Sequence, residues 1–190
     1  REFLLYLPLY NGASSVEIGV PEGSKVEKAP ARPAHRKPVV FHGTSITQGG
    51  CASRPGMATP AILGRRFDWP TINLGFSGNG RMEIELARLL GEIDAAAYVI
   101  DCLPNINAKD IEERTVPFVT ELRKARPHTP IILVEDRSYT NAHALPAVAK
   151  RNADSRAALY KAYREMTWDG VQSLHYIDGP GQIGDDDEGT

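Results

Sequence analysis

Short apolar runs alternate with longer amphipathic stretches along most of this chain. Five apolar runs have the length of buried strands and lie at residues 39–42, 71–74, 97–102, 131–135 and 174–177. Between them, apolar side chains recur with helical spacing at about residues 55–67, 82–92, 110–126 and 146–167. The pattern therefore predicts five strands alternating with four helices. Pro117 inside the third helix predicts a kink or a late start there.

This alternation also indicates the fold class. Strands that alternate with helices of this length form a parallel sheet covered by helices on both faces. Right-handed crossover connections make a doubly wound, flavodoxin-like arrangement the default. We therefore predict an α/β fold, a three-layer α/β/α sandwich with a five-stranded parallel sheet in the order 2-1-3-4-5, over residues 39–190.

The first 38 residues lack this alternation of strands and helices. Residues 1–20 are rich in Leu, Tyr, Val and Ile around the turn Asn11-Gly12, which predicts a β-hairpin. Residues 21–38 contain several prolines and charges with no period, which is typical of a linker. A hairpin of this size does not fold alone. We therefore expect it to be either the remnant of an N-terminal β-domain or a strap on the main domain.

Composition narrows the function classes. The formal net charge is −2, which does not indicate nucleic acid as a partner, and no apolar run approaches the roughly 20 residues that span a bilayer. Cys51 and Cys102 are too few for a disulfide scaffold and predict two buried free thiols, although a disulfide between them stays open. The acidic run at 185–188 is interpreted as a solvated loop rather than a metal site.

Candidate catalytic residues follow the first three strands. This is where they are expected, because open parallel sheets bind ligands outside the carboxyl ends of their strands. Ser45 comes two residues after the first strand, in Gly43-Thr44-Ser45-Ile46-Thr47-Gln48-Gly49, and is either an exposed nucleophile or an ordinary turn residue. This loop lacks the Lys of a Walker loop and the second Gly of an α/β-hydrolase elbow. Gly78 and Asn105 follow the next two strands, where each fits an oxyanion donor or a simple turn.

Together, Ser45, Gly78 and Asn105 resemble the first three blocks of the SGNH (GDSL-like) hydrolases, in the bacterial branch with a β-domain ahead of the hydrolase. The resemblance implies that Ser45 is the nucleophile, Gly78 a backbone oxyanion donor and Asn105 a side-chain oxyanion donor. It also implies a serine esterase that needs no cofactor or metal and acts on a small ester with a short, acetyl-type acyl group, acetylated carbohydrates included. Thr44 stands where the family usually has Asp, and around Asn105 only the Asn matches.

The family's fourth block, Asp-x-x-His, has no counterpart in this sequence, and the chain ends where that block is expected. The resemblance gives its His the role of general base. His143, in a loop leaving the fourth strand at the same edge, is the candidate base, with Asp136 as its orienting partner. Two alternatives stay open: an inactive fragment of such an esterase, prone to self-association through exposed apolar surface, and a non-catalytic flavodoxin-like module that binds a small anion or carbohydrate.

Overall fold

The computed structural model describes residues 2–31, 33 and 35–184. In chain order the regular elements are β1 (Val39–Gly43), α1 (Ser45–Gln48), α2 (Thr59–Arg66), β2 (Thr71–Gly75), α3 (Ile84–Glu92), β3 (Ala97–Asp101), α4 (Ala108–Ala125), β4 (Ile131–Val134), α5 (Pro146–Trp168) and β5 (Leu174–Ile177). Short 3-10 turns lie at Pro55–Met57, Leu103–Asn105 and Thr140–His143. The acidic run at 185–188 lies outside the described residues.

The five strands form one sheet in the order β2-β1-β3-β4-β5, and every neighbouring pair is parallel. The predicted fold class and strand order are therefore confirmed. The register aligns Gly43, the last residue of β1, with Gly75 of β2 and Asp101 of β3. The loops that follow these three strands consequently start side by side.

The strands are short apolar runs in the sequence because helices bury residues on both faces of the sheet. Alternate residues of β3, Tyr98 and Ile100, are fully buried in a cluster with α3, α4 and α5, whereas Val99 between them is only half-buried. Gly43 of β1 and Gly75 of β2 face the other side of the sheet from this cluster and lie against α1. Helices therefore lie on both faces. Within the described residues, the face opposite the cluster is the less covered one at β5, where the side chain of Ile177 is 44% exposed.

The third predicted helix begins earlier than its proline suggests. Asn107 caps α4, because its side-chain oxygen accepts a hydrogen bond from the backbone N–H of Asp110 at 3.0 Å. The helix then runs from Ala108 through Pro117 without interruption to Ala125. The expected late start at Pro117 is wrong, since the cap and the buried apolar face of α4 outweigh one missing backbone hydrogen bond.

The predicted N-terminal hairpin is not formed, because residues 2–20 contain no strand. Most of their apolar side chains are exposed, and that of Phe3 is 84% exposed. A two-stranded ribbon is at best marginal without a surface on which to bury one face. Tyr6 and Leu9 nevertheless contact the main domain, through Arg65 and Gln48, and the assignment of this segment to an N-terminal β-domain stays a prediction.

The two cysteines are both free. Cys102 is buried as predicted, but Cys51 is exposed, so the prediction of two buried thiols is wrong for Cys51. Among the described residues, no helix combines the length and the apolar character needed to cross a membrane.

Candidate active site

Ser45 is the first residue of α1, a helix of only four residues, rather than part of an irregular loop. Thr44 is the N-cap, and its buried side-chain oxygen accepts a hydrogen bond from the backbone N–H of Ile46 at 3.3 Å. Gly49 ends the helix in the left-handed conformation, with φ of +99°. Ser45 itself is half-buried and lies two residues beyond the carboxyl end of β1.

The loop after β2 folds back over the end of β1. Gly78 and Gly80 both have positive φ angles, +71° and +68°. At Gly80 the chain passes so close to β1 that an added Cβ would overlap the carbonyl oxygen of Gly43. Only glycine combines that backbone conformation with that approach. The segment that contains Gly78 is thereby held beside the residue that precedes the Thr44 cap.

Asn105 joins the same loop from the third strand. It ends the 3-10 turn after β3, and its Nδ2 atom donates a hydrogen bond to the backbone carbonyl of Asn79 at 2.5 Å. Gly78 immediately precedes Asn79, so two of the predicted oxyanion donors lie on touching segments. An amide Nδ2 has two hydrogens, and this contact uses one of them.

A buried ion pair connects α1 to the centre of the sheet. Thr47 Oγ1 donates to Asp101 Oδ2 at 2.8 Å, and Arg137 Nη2 lies 3.0 Å and 3.2 Å from the two carboxylate oxygens. The side chains of Arg137 and Asp101 are only 8% and 15% exposed. Burial raises the pKa of Asp101 above its ordinary value, and the charge of Arg137 opposes that rise. The segment after β4 is thereby linked to the helix that begins with Ser45.

These three residues were not among the predicted site residues. Thr47 lies four residues after β1, Asp101 is the last residue of β3, and Arg137 lies three residues after β4. All three are therefore near the carboxyl ends of the strands, where open parallel sheets bind ligands. A usable signal was the presence of opposite charges just after neighbouring parallel strands, where the carboxyl ends meet. The pairing itself needed the sheet order, which puts β3 between β1 and β4.

The predicted partnership between His143 and Asp136 is not present. His143 is exposed, and its Nδ1 atom lies 2.8 Å from the carbonyl of Thr140 in its own turn. The Asp136 carboxylate is buried and accepts hydrogen bonds from Tyr139 and from Asn152 instead. Burial raises the pKa of Asp136. Within the described residues, no hydrogen bond joins Ser45 to a histidine.

The other polar and apolar features near the site are structural in character. His42 on β1 is fully buried, its Nδ1 atom lies 3.3 Å from the carbonyl of Leu74, and burial lowers its pKa. A mainly apolar cavity of about 160 Å³ lies beside it, with Phe76 and Leu86 among its walls. No group of three or more potential metal ligands occurs in the described part of the chain.

The strand order places the chain among the doubly wound α/β proteins, a class that includes flavodoxin-like proteins and the SGNH-type hydrolases. The chain belongs to the GDSL-like lipase/acylhydrolase family, whose profile matches residues 36–190. The predicted family is therefore confirmed. Among curated protein sequences, none matches the chain.

Solved structures support this assignment. A crystal structure from Bacteroides ovatus, described as that of a GDSL-like lipase, is 39% identical with a TM-score of 0.90, covering 97% of this chain and 54% of that one. The salicylyl-acyltransferase SsfX3 from a tetracycline biosynthetic pathway is 26% identical with a TM-score of 0.67, covering 79% and 45%. A family two carbohydrate esterase from Clostridium thermocellum, 16% identical with a TM-score of 0.59, covers 83% and 58% and shares the fold. The chain thus spans about half the length of these structures.

Proposed function

We propose that this chain is a serine esterase that hydrolyses short-chain carboxylic esters. The observation that supports the proposal best is the contact between Asn105 and the segment that contains Gly78, beside the strand that leads to Ser45. A nucleophile just after one strand, with N–H donors in the segments after the two neighbouring strands, is an arrangement suited to acyl transfer.

In the proposed reaction, Ser45 Oγ attacks the carbonyl carbon of the ester and passes its proton to a base. The carbonyl π electrons move onto oxygen, and the Gly78 N–H together with the free Nδ2 hydrogen of Asn105 stabilises the resulting oxyanion. When the tetrahedral intermediate collapses, the C–O bond to the alcohol breaks and the alcohol leaves with a proton. Water then attacks the acyl-serine by the same route, releasing the carboxylic acid and restoring Ser45.

The proposed reaction needs a base that takes the proton of Ser45. A serine hydroxyl is a weak nucleophile at its ordinary pKa and needs an adjacent base. His143 remains the candidate from the sequence, although its ring is turned toward Thr140. A non-catalytic module that binds a ligand with the same loops is therefore the second candidate function, favoured by the lack of any histidine bonded to Ser45 among the described residues.

For the substrate we propose a small acyl group, acetyl or similar, on an alcohol that includes carbohydrates. The short acyl group rests on the likeness to the GDSL-like family alone, since the cavity of about 160 Å³ beside Phe76 is lined by neither Ser45 nor the proposed oxyanion donors. The carbohydrate part rests on fold likeness alone, since the Clostridium thermocellum carbohydrate esterase was solved in complex with cellohexaose. Transfer of the acyl group to an alcohol other than water is a variant of the same chemistry, as in the salicylyl-acyltransferase.

Covalent labelling separates the two candidate functions. The chain is incubated with a fluorophosphonate, and the adduct is located by peptide mass spectrometry, with p-nitrophenyl acetate turnover measured in parallel. An esterase should give one adduct at Ser45 and a burst of p-nitrophenol, and both should disappear in Ser45→Ala. Ser53→Ala is the matched control, because Ser53 is an exposed serine between α1 and α2, outside the proposed oxyanion hole. A wild-type chain with neither adduct nor burst would favour the binding module.

A further inference from the structure

Residues 6–10, here called the N-terminal strap, lie against the helix that begins with Ser45. The strap is fixed at two half-buried side chains, Tyr6 and Leu9, whereas its other residues are exposed. The Tyr6 hydroxyl accepts a hydrogen bond from Arg65 Nη1 at 3.0 Å, and the Arg65 guanidinium lies 5.3 Å from the Tyr6 ring centroid. The strap is therefore tied to α2 by a specific contact rather than by loose apolar packing.

The second fixed point of the strap is at the end of α1. A Cβ on Gly49 would lie 2.7 Å from Leu9 Cδ1, so a larger residue there would force the Leu9 side chain to move. Gly50 has a similar relation to the Tyr10 hydroxyl, at 2.6 Å. Two consecutive glycines thus let the strap approach within van der Waals contact of the nucleophile helix.

Gln48 uses both ends of its side-chain amide in this region. Its Nε2 atom donates to the backbone carbonyl of Leu9 at 2.9 Å, and its Oε1 atom accepts from the backbone N–H of Ser77 at 2.8 Å. Ser77 directly precedes Gly78, the proposed backbone oxyanion donor. One side chain of the nucleophile helix therefore joins the strap to the oxyanion loop.

We propose that Gln48 is a positioning residue for the oxyanion hole and that the N-terminal strap is a working part of the active site. The residues from Phe76 to Asn79 are exposed, and Gly78 has a positive φ angle, so hydrogen bonds rather than buried side chains hold this part of the loop. The hydrogen bond from Ser77 fixes the peptide unit next to the Gly78 N–H, and the bond to Leu9 fixes the Gln48 side chain that accepts it. Preorganised N–H groups stabilise an oxyanion only when they are already in place. This inference rests on the proposed function.

Three variants separate the effect of the Gln48 hydrogen bonds from the effect of the attached strap. Gln48→Met keeps the length of the side chain but removes both hydrogen bonds. Gln48→Glu keeps an acceptor for the Ser77 N–H but places a carboxylate oxygen against the Leu9 carbonyl. Tyr6→Ala with Leu9→Ala releases the strap and leaves Gln48 unchanged. The matched control is Gln172→Met, since Gln172 also donates its Nε2 hydrogen to a backbone carbonyl, that of Gly170 at 3.1 Å, between α5 and β5.

Reactivity and loop order are measured on each folded variant. Reactivity is given by the rate of fluorophosphonate labelling at Ser45 and by kcat and KM on p-nitrophenyl acetate. Loop order is given by hydrogen exchange at the Ser77 amide. We expect all three variants to lower kcat and the labelling rate about ten- to a hundredfold with little change in KM, since a misplacement of about 1 Å costs on the order of 10²-fold. Exchange at Ser77 should accelerate in Gln48→Met and in the strap double variant. Gln172→Met should match the wild type in both readouts.

The proposal is overturned if Gln48→Met keeps the wild-type labelling rate. It is also overturned if the strap double variant leaves both kcat and Ser77 exchange unchanged while Gln48→Met lowers kcat and accelerates that exchange. A structural role alone would appear as a loss of folded protein with unchanged kcat per folded molecule, which also overturns it. If the wild-type chain does not label at all, the proposed esterase function fails. Hydrogen exchange at Ser77 still tests the link between the strap and the loop in that case.

Discussion

Replacing Thr47 by valine tests whether the buried ion pair of the sheet holds the nucleophile helix in place. The change keeps the volume of the side chain and removes the hydroxyl that donates to Asp101 at 2.8 Å. Thr47 is only 4% exposed, so water does not readily replace the lost donor. Asp101 keeps Arg137 at 3.0 Å, which should preserve the sheet while freeing α1 from it.

The magnitude follows from the charge of the acceptor. A hydrogen bond to a charged group contributes about 1.5–3 kcal/mol, whereas a neutral one contributes about 0.5–1.5 kcal/mol. Thr115→Val is the matched control, because Thr115 is also fully buried but donates to the neutral carbonyl of Ile111 at 2.7 Å. We therefore expect Thr47→Val to lower the free energy of unfolding by about 1.5–3 kcal/mol, and the control by no more than about 1.5 kcal/mol.

The reactivity of Ser45 tests whether the loss of this hydrogen bond also moves the nucleophile. Thr47 lies two residues after Ser45 in the same four-residue helix, so a shift of α1 moves the nucleophile. Urea unfolding followed by circular dichroism gives the stability, and fluorophosphonate labelling gives the reactivity of Ser45. Thr47→Val should slow labelling by about tenfold or more, Thr47→Ser should restore much of the rate, and Thr115→Val should leave it unchanged. Equal losses of stability and rate in the two valine variants would refute the reasoning.

Three further predictions follow from the site. Asn105→Ala should lower kcat on p-nitrophenyl acetate by about 10²–10³-fold with a small change in KM, and an effect on KM alone would exclude Asn105 as an oxyanion donor. Because burial lowers the pKa of His42 below its ordinary value of 6.5, the unfolded chain binds more protons, so the free energy of unfolding should fall as the pH is lowered through 6.5. Urea titrations should show this slope weakened in His42→Gln and retained in His175→Gln, an exposed control. His143→Ala should leave ester turnover nearly unchanged if its ring stays bonded within its own turn, and a loss of about 10²–10⁴-fold would identify it as the general base.

The sequence by itself determined the fold class, the strand order and the family. Alternating apolar runs and helical stretches leave few topologies open once right-handed crossovers are required. The same rule indicated the loops that matter, since it places the residues after β1, β2 and β3 side by side. Ser45 and Asn105 were therefore identifiable as candidates from local patterns and chain order alone.

Local patterns were misleading where a segment depends on what it packs against. The Asn11-Gly12 turn with alternating residues favours a hairpin, yet the described residues of that region form no strand. His143 and Asp136 stand near each other in the sequence, but the side chain of Asp136 is turned into a buried network with Asn152. Spacing along the chain does not give the direction in which a side chain points once its loop is folded.

Only the tertiary structure decided how the nucleophile helix is held. Thr47, Asp101 and Arg137 are separated by 54 and 36 positions along the chain and meet because β1, β3 and β4 are neighbours in the sheet. Gln48 likewise joins Leu9 and Ser77, which lie 39 positions before it and 29 positions after it. Such contacts depend on the relative positions of elements that pack together, and the hydrophobic pattern encodes burial but not the identity of the partner. For that reason the sequence predicted the residues at the carboxyl edge of the sheet, and the folded chain alone showed which of them support one another.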